Sequence, residues 1–311
     1  MSRLKIGIVH YPGSLLSAVQ GLSEQFYLAN HICQQQGMEA VFSTQICDSQ
    51  SIPGWCEDGL NGLNVVILPP CLDDSYYANP DPALLGWLQA QHRQGAIICS
   101  VCAGAFVLAC AGLLDGRKVT THWALSDRFV SAFPQIELDT NKLLINDGDI
   151  ITAGGLMSWV DLGLELVAQF SNSQIMRKLG RYLIVDTGPR EQSYYQSFTP
   201  KLDHGDQAIL KAQHQLQREF QQTVVIRHLA ELTHLTERTF LRRFVKATGL
   251  KPTQYLQQLR IRKACELIES GSGSMEKIAS EVGYEDLSAF RKTFHKITGQ
   301  TPREFKKRFV R

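Results

Sequence analysis

The chain has 311 residues, 44% hydrophobic and 20% charged, which is a globular composition with room for two domains. Its eight cysteines follow neither disulfide-framework nor zinc-finger spacing, and a strand-like run is already under way at Leu4, so we expect a reducing, cytoplasmic setting without a signal peptide. The net charge of +2 hides an asymmetry: residues 206–311 carry 20 Lys+Arg against 11 Asp+Glu (net +9), and residues 1–205 carry 12 against 19 (net −7), which excludes the first part as a DNA-binding surface.

In chain order, strand-like runs at Leu4–His10, Glu39–Gln45, Asn64–Leu68 and Ala96–Val101 alternate with helix-like stretches. That alternation predicts an α/β domain, a parallel sheet covered by helices. The stretch 96–114 holds 19 residues without a charge, formally transmembrane length. Its first third is β-rich and glycines interrupt it, so it reads as a buried strand turning sharply into a buried helix, with no membrane involved. Ser100-Val-Cys102-Ala-Gly104 falls at that turn and resembles a nucleophile elbow with Cys in place of Ser. Such a turn presents its central side chain at the carboxyl end of the sheet, where α/β folds place ligands. The adjoining helix N-terminus is expected to lower the Cys102 pKa. The Cys99-x-x-Cys102 spacing also fits zinc or redox chemistry. A zinc site needs further ligands, however, and Cys99 falls inside the strand, so we expect neither metal nor cofactor.

The polar stretch from about 186 to 205 breaks the periodicity and reads as a linker. We draw it at 188–205, between an α/β domain over 1–187 and a helical domain over 206–311. The helical domain contains a repeat. Thr239-Phe-Leu-Arg-Arg-Phe-Val-Lys-Ala-Thr-Gly-Leu-Lys-Pro252 returns as Ala289-Phe-Arg-Lys-Thr-Phe-His-Lys-Ile-Thr-Gly-Gln-Thr-Pro302. Each copy has a polar N-cap (Thr236, Asp286), a buried pair one turn apart (Phe240 and Phe244, Phe290 and Phe294), and a glycine stop (Gly249, Gly299). A short amphipathic segment and a tight turn precede each: Ile226–Leu232 with Thr233–Leu235, and Met275–Val282 with Gly283–Glu285. Short helix, turn and capped helix with a basic outer face is the helix-turn-helix pattern, whose second helix enters the major groove. The outward positions are Arg238, Leu241 and Arg242 in one copy and Ser288, Arg291 and Lys292 in the other. Arginine can pair bidentately with guanine, and Leu241 offers apolar contact, for instance to a thymine methyl.

Residues 206–311 resemble the DNA-binding domain of the AraC/XylS family of bacterial regulators, on the two helix-turn-helix units, Ala264 in the linking helix and the Gly-Tyr-x-Asp-x-Ser-x-Phe run from Gly283 to Phe290. The linking helix is expected over Pro252–Glu269, with Tyr255, Leu256, Leu259, Ala264, Leu267 and Ile268 as its apolar stripe. It would hold the two readers on successive major-groove turns, roughly 34 Å apart. Cys102-Ala-Gly104, Gly116–Trp123 and Asp149–Gly155 together resemble the glutamine-amidotransferase-like superfamily that includes PfpI-type proteases and deglycases, with flavodoxin-like layering. In that superfamily Cys102 takes the nucleophile's position and His122 matches a nearby His. Hydrolytic members carry a His where this chain has Ala103, and an acid where it has Ala18. The resemblance therefore implies a transcription regulator rather than an enzyme. It implies a small effector, in related regulators often nitrogen-containing, bound near Cys102, Ala103, Gly104 and His122. The partners implied are duplex DNA, RNA polymerase and a second copy of the chain, with dimerisation through the first domain. A Cys-dependent hydrolase or deglycase at Cys102 and His122, tethered to DNA, is the alternative, and a redox sensor at Cys102 is a third reading.

Overall fold

The computed structural model describes residues 3–51, 62–188, 190–271 and 273–310. Its internal contacts define two units, Met1–Gln192 and Ser193–Arg311. In the first, β1 (Leu4–His10) lies where the sequence places it, and its centre is buried because strands pair on both sides. The strand expected at Glu39–Gln45 starts three residues later, as β2 (Phe42–Asp48), in register with β1 from Leu4 opposite Phe42. Asn30 explains the shift. Its side chain accepts from the Val41 and Phe42 amides, 2.9 Å each, so the residues ahead of Phe42 are held by a side chain instead of a full ladder.

β3 (Val65–Leu68) and β4 (Ile97–Val101) follow, and the last two strands are an antiparallel edge strand β7 (Leu144–Asn146) and the buried β8 (Ile150–Ala153). The order is β2-β1-β3-β4-β8-β7, parallel except at β7. This is the doubly wound, flavodoxin-like order, with its switch point between β1 and β3. A two-stranded parallel pair, β5 (Lys118–Val119) and β6 (Glu137–Leu138), lies apart from it. Helix α1 (Leu16–Gln35) packs with α6 (Trp159–Phe170) and α7 (Ser173–Leu183). A second group comprises α2 (Asp74–Ala78), α3 (Pro82–Arg93) and α4 (Gly104–Cys110). Phe129 of α5 (Ser126–Ala132) joins them edge-on against Phe106 at 5.0 Å. The charge-free run 96–114 is thus β4 and α4, and no described helix is long and apolar enough to cross a membrane.

The second unit is helical: α8 (Gln207–Arg218), α9 (Ile226–Leu232), α10 (Glu237–Thr248), α11 (Pro252–Glu269), α12 (Met275–Glu281), α13 (Leu287–Thr298) and α14 (Pro302–Phe309). It has two cores. Phe240 and Phe244 centre one, Phe290 and Phe294 the other. α11 serves both: Tyr255 and Leu259 enter the first core, and Ile261, Ala264 and Ile268 enter the second. Ile261 is missing from the stripe read off the sequence, and Leu256 and Leu267 of that stripe are only half-buried.

Described residues of the stretch 188–205 pack on one unit or the other. Arg190 pairs with Asp161, Glu191 with Lys142 at 2.7 Å, and the Gln192 amide donates to Asn141 O at 2.8 Å, all within the first unit. In the second unit Phe198 stands edge-on to Tyr255 at 5.2 Å, and Gln213 donates to Lys201 O at 2.9 Å.

Candidate functional site

The elbow is built as the sequence suggests. β4 ends at Val101, Cys102 takes φ 55°, and α4 starts at Gly104. A left-handed Cys costs about 1–3 kcal/mol and persists only where its surroundings impose it. Here the Cys102 amide donates to Ala153 O at 2.8 Å, and the Thr121 hydroxyl donates to Cys102 O at 2.7 Å. Ala103 is buried, and a Cβ at Gly104 would lie 3.1 Å from Leu68 O, so these two residues form the inner wall of the turn.

The electrostatics correct one expectation. Cys102 is only 5% exposed, and burial pushes its thiol up to about 11, against a smaller lowering by the Ala103 backbone. Desolvation defeats the helix N-terminus because α4 is a short, wholly apolar helix of about two turns, buried up to its last residue. The thiol is therefore held in its protonated form at neutral pH. Cys99 is fully buried in β4, and its thiol is raised still further by desolvation. No metal-holding cluster occurs among the described residues.

His122 directly follows Thr121, so the Thr121–Cys102 bond brings the two predicted residues to the same end of the sheet. Its Nδ1 accepts from the Ala124 amide at 3.1 Å, and half-burial lowers its pKa. The ring is therefore neutral at pH 7 with its proton on Nε2, a hydrogen-bond donor for a ligand. Among the described residues no hydrogen bond joins it to Cys102. Ala18, the position of the absent acid, is fully buried. Sequence reasoning missed the aromatic surroundings. Tyr11 and Tyr77 lie within electrostatic reach of the Cys102 thiol, and Tyr11 stacks on Tyr76 at 5.5 Å. Tyr11 also lines a cavity of about 320 Å³ with His10, Ser14, Leu16, Asp48 and Gln50, at the carboxyl ends of β1 and β2. Its place immediately after β1, beside the switch point, was the available signal.

In the second unit the two reading helices are α10 and α13. Thr236 caps α10 through the Thr239 amide, and Asp286 caps α13 through Ser288 and Ala289, both at 3.0 Å. Arg238, Leu241, Arg242, Ser288, Arg291 and Lys292 are all exposed, each set on the face opposite its buried Phe pair. Val245, 41% exposed and one turn beyond Leu241, extends the apolar stripe of α10 and was not anticipated.

Two family models match, DJ-1/PfpI family over residues 61–169 and a helix-turn-helix domain over residues 229–308. Residues 61–169 thus carry a DJ-1/PfpI-type domain and residues 229–308 an AraC-type helix-turn-helix domain. Among its relatives, the HTH-type transcriptional regulator CdhR of Pseudomonas aeruginosa is 28% identical over 222 residues, 71% of this chain and 66% of that protein. The match thus spans slightly less than two thirds of that relative. The isonitrile hydratase of Pseudomonas putida is 34% identical over 91 residues, 29% of this chain and 38% of the hydratase. A solved protein of Vibrio parahaemolyticus superposes with a TM-score of 0.51 at 23% identity, over 59% of this chain and 100% of its own, a likeness of fold alone.

Proposed function

We propose that this chain is a DNA-binding transcription regulator whose DJ-1/PfpI domain binds a small metabolite near Cys102 and His122 and mediates dimerisation. The duplicated reader carries the proposal: two capped helices, each burying a Phe pair and exposing Arg or Lys at equivalent positions, in a unit of net charge +9. Arg238, Leu241 and Arg242, with Ser288, Arg291 and Lys292, would face base edges. Such a protein acts in the cytoplasm, where RNA polymerase is a further partner. The neutral His122, the protonated Cys102 and the tyrosines around them suit holding a small molecule rather than attacking it. An effector must favour one of two states of the protein to regulate it, and a nitrogen-containing metabolite fits the regulators this chain resembles. The functional boundaries we propose are those read from the sequence, a sensor over 1–187 and a reader over 206–311, with residues 190–192 packed on the first and Phe198 and Lys201 on the second.

Selection of bound duplexes from a random pool by the full chain, followed by footprinting, tests the reader. Recovery of a consensus with two half-sites supports it, and recovery of no preferred sequence overturns it. A thermal-shift screen of small metabolites tests the sensor. A ligand at a hundred times its dissociation constant adds about 2.7 kcal/mol of stability.

The similarity to isonitrile hydratase favours a second reading, a Cys-dependent enzyme. Against it stand the raised thiol and the two alanines, Ala103 and the buried Ala18, neither of which can act as a base or an orienting acid. A compound consumed by the wild type and untouched by Cys102→Ser would establish that reading.

A further inference from the structure

Leu259 of α11 belongs to the first helical core and Ile261 to the second, so Arg260 stands at the seam between them. Its side chain reaches both ways. Nε donates to Phe220 O at 2.7 Å and Nη2 to Gln222 O at 2.9 Å, two carbonyls just past the C-terminal end of α8. Carbonyls at a helix C-terminus favour a cation, and the planar fork of a guanidinium lets one side chain take two of them. On its other side the guanidinium lies over the Tyr284 ring at 5.4 Å, and Tyr284, in the turn of the second module, stands edge-on to Phe290 at 5.5 Å. Burial lowers the Arg260 pKa, because the group has given up water for these partners. Phe220 packs against both cores.

The second module's turn bears the imprint of this contact. In the first module the turn residue is His234, left-handed at φ 55° and carrying a side chain. Its counterpart Gly283, at φ 85°, has no room for one: a Cβ would sit 2.4 Å from Gln221 O and 2.9 Å from Arg260 Nη2. A clash with a backbone carbonyl is not relieved by turning a side chain, so glycine is required here for close approach as well as for φ. The loop 220–222 therefore lies directly on the turn 283–284, and Arg260 clamps one to the other.

The helix α11 sets how far apart the modules are, but one helix alone leaves them free to swing at the seam. The clamp lies off that helix and supplies a second point of attachment. We propose that Arg260 is a positioning residue for DNA reading, holding the loop 220–222 on the turn 283–284 so that α10 and α13 meet the duplex at one fixed angle. α13 packs beside α11. With helix axes about 8–10 Å apart, a swing of about 20° would carry α13 about 3 Å, close to one base-pair step. Two linked readers reinforce each other only where geometry lets both engage, so the clamp sets how strictly the chain demands one half-site spacing. Arg260 itself contacts no base in this scheme. The inference rests on the regulator reading above.

The full chain is titrated at fixed salt with three duplexes taken from the random-pool selection. One is the consensus, one has a base pair inserted between its two half-sites, and one has the second half-site scrambled. In the wild type the insertion weakens binding by about tenfold or more, the scale of a lost base contact. In Arg260→Ala that penalty falls below about threefold, while affinity for the single half-site stays within about twofold of the wild type. Arg260→Lys keeps the charge and loses the two-carbonyl fork; it shifts the penalty the same way and decides the matter where Arg260→Ala does not fold. A wild type indifferent to the insertion, or variants that keep the full penalty, overturns the clamp and leaves the regulator standing. A uniform loss on all three duplexes does the same, since it would make Arg260 a residue of folding and not of spacing. A chain that selects no consensus overturns both.

Discussion

The two helix-turn-helix modules are one design executed under different constraints. In both, a threonine hydroxyl near the helix end closes the stop the same way: Thr248 donates to Phe244 O at 2.8 Å, and Thr298 to Phe294 O at 2.9 Å. In both, the stop glycine has nearly the same φ, 74° and 71°. The differences lie at the edges. The first module is bolted to α8 by Arg243, which donates to both oxygens of Asp206 at 2.6 and 2.8 Å. In the second, Ser193 and Tyr194 lie against Gly299 instead. The turn of the first module places His234 at φ 55°, where the second uses Gly283 at 85°. Shared features thus belong to the repeated fold, and unshared ones to how each copy is held.

The largest effects should ignore this distinction. Phe240→Ala and Phe290→Ala each remove a fully buried ring, and each should cost about 3–5 kcal/mol, measured by urea unfolding of the full chain. A cost confined to one copy would break the equivalence of the cores. Arg242→Ala and Arg291→Ala should each weaken specific DNA binding by about 1–3 kcal/mol, with sequence preference relaxed at one base step. Equal losses on specific and random duplex would make them phosphate contacts.

Smaller substitutions should separate the modules. Gly299→Ala should destabilise more than Gly249→Ala, by about 1–2 kcal/mol beyond the cost of a left-handed alanine that both share, because only Gly299 meets a neighbour. Hydrogen exchange of α10 and α13 peptides reads the two separately. Asp206→Asn should loosen only the first module, by about 1 kcal/mol, since the pair is partly exposed. The Arg243 guanidinium holds the Asp206 carboxyl below its usual range. Its contribution is thus complete above the ordinary carboxylate pKa and fades as pH falls through that range towards the depressed value. An acid titration of α10 exchange that matches the Asp206→Asn variant at neutral pH would not fit this account. The smallest effect is expected from His234→Gly, a gain of up to about 1 kcal/mol from relieving a left-handed side chain.

Much of this organisation is legible in the chain. Caps, Phe pairs and glycine stops are local signals, and their repetition gives the two modules almost residue by residue, whereas α8 and α14 of the same unit lie outside the repeat and were not anticipated. The elbow is legible too, because a β-rich run, a small-residue turn and an apolar helix stand in sequence. What depends on distant partners is not. The start of β2 turns on Asn30, and β8 is four residues long, too short to show a strand period before β4 is beside it. The thiol pKa needed the burial of α4, and Ile261 needed the second core to reveal its side of α11. Nothing near Arg260 marks it, since its carbonyl partners are 38 and 40 residues earlier in the chain.

Because α11 carries both cores on one unbroken helix of 18 residues, it works as a gauge with fixed divisions. Each inserted residue would advance the second core by about 1.5 Å and swing it by about 100°, so a single insertion would turn Ile261, Ala264 and Ile268 out of their core. Only additions near whole turns, about seven residues at a time, would restore the facing. The spacing of the two helix-turn-helix cores is therefore fixed by α11. On the proposed function, new target sequences would come through Arg238, Leu241, Arg242, Ser288, Arg291 and Lys292 far more readily than new half-site spacings.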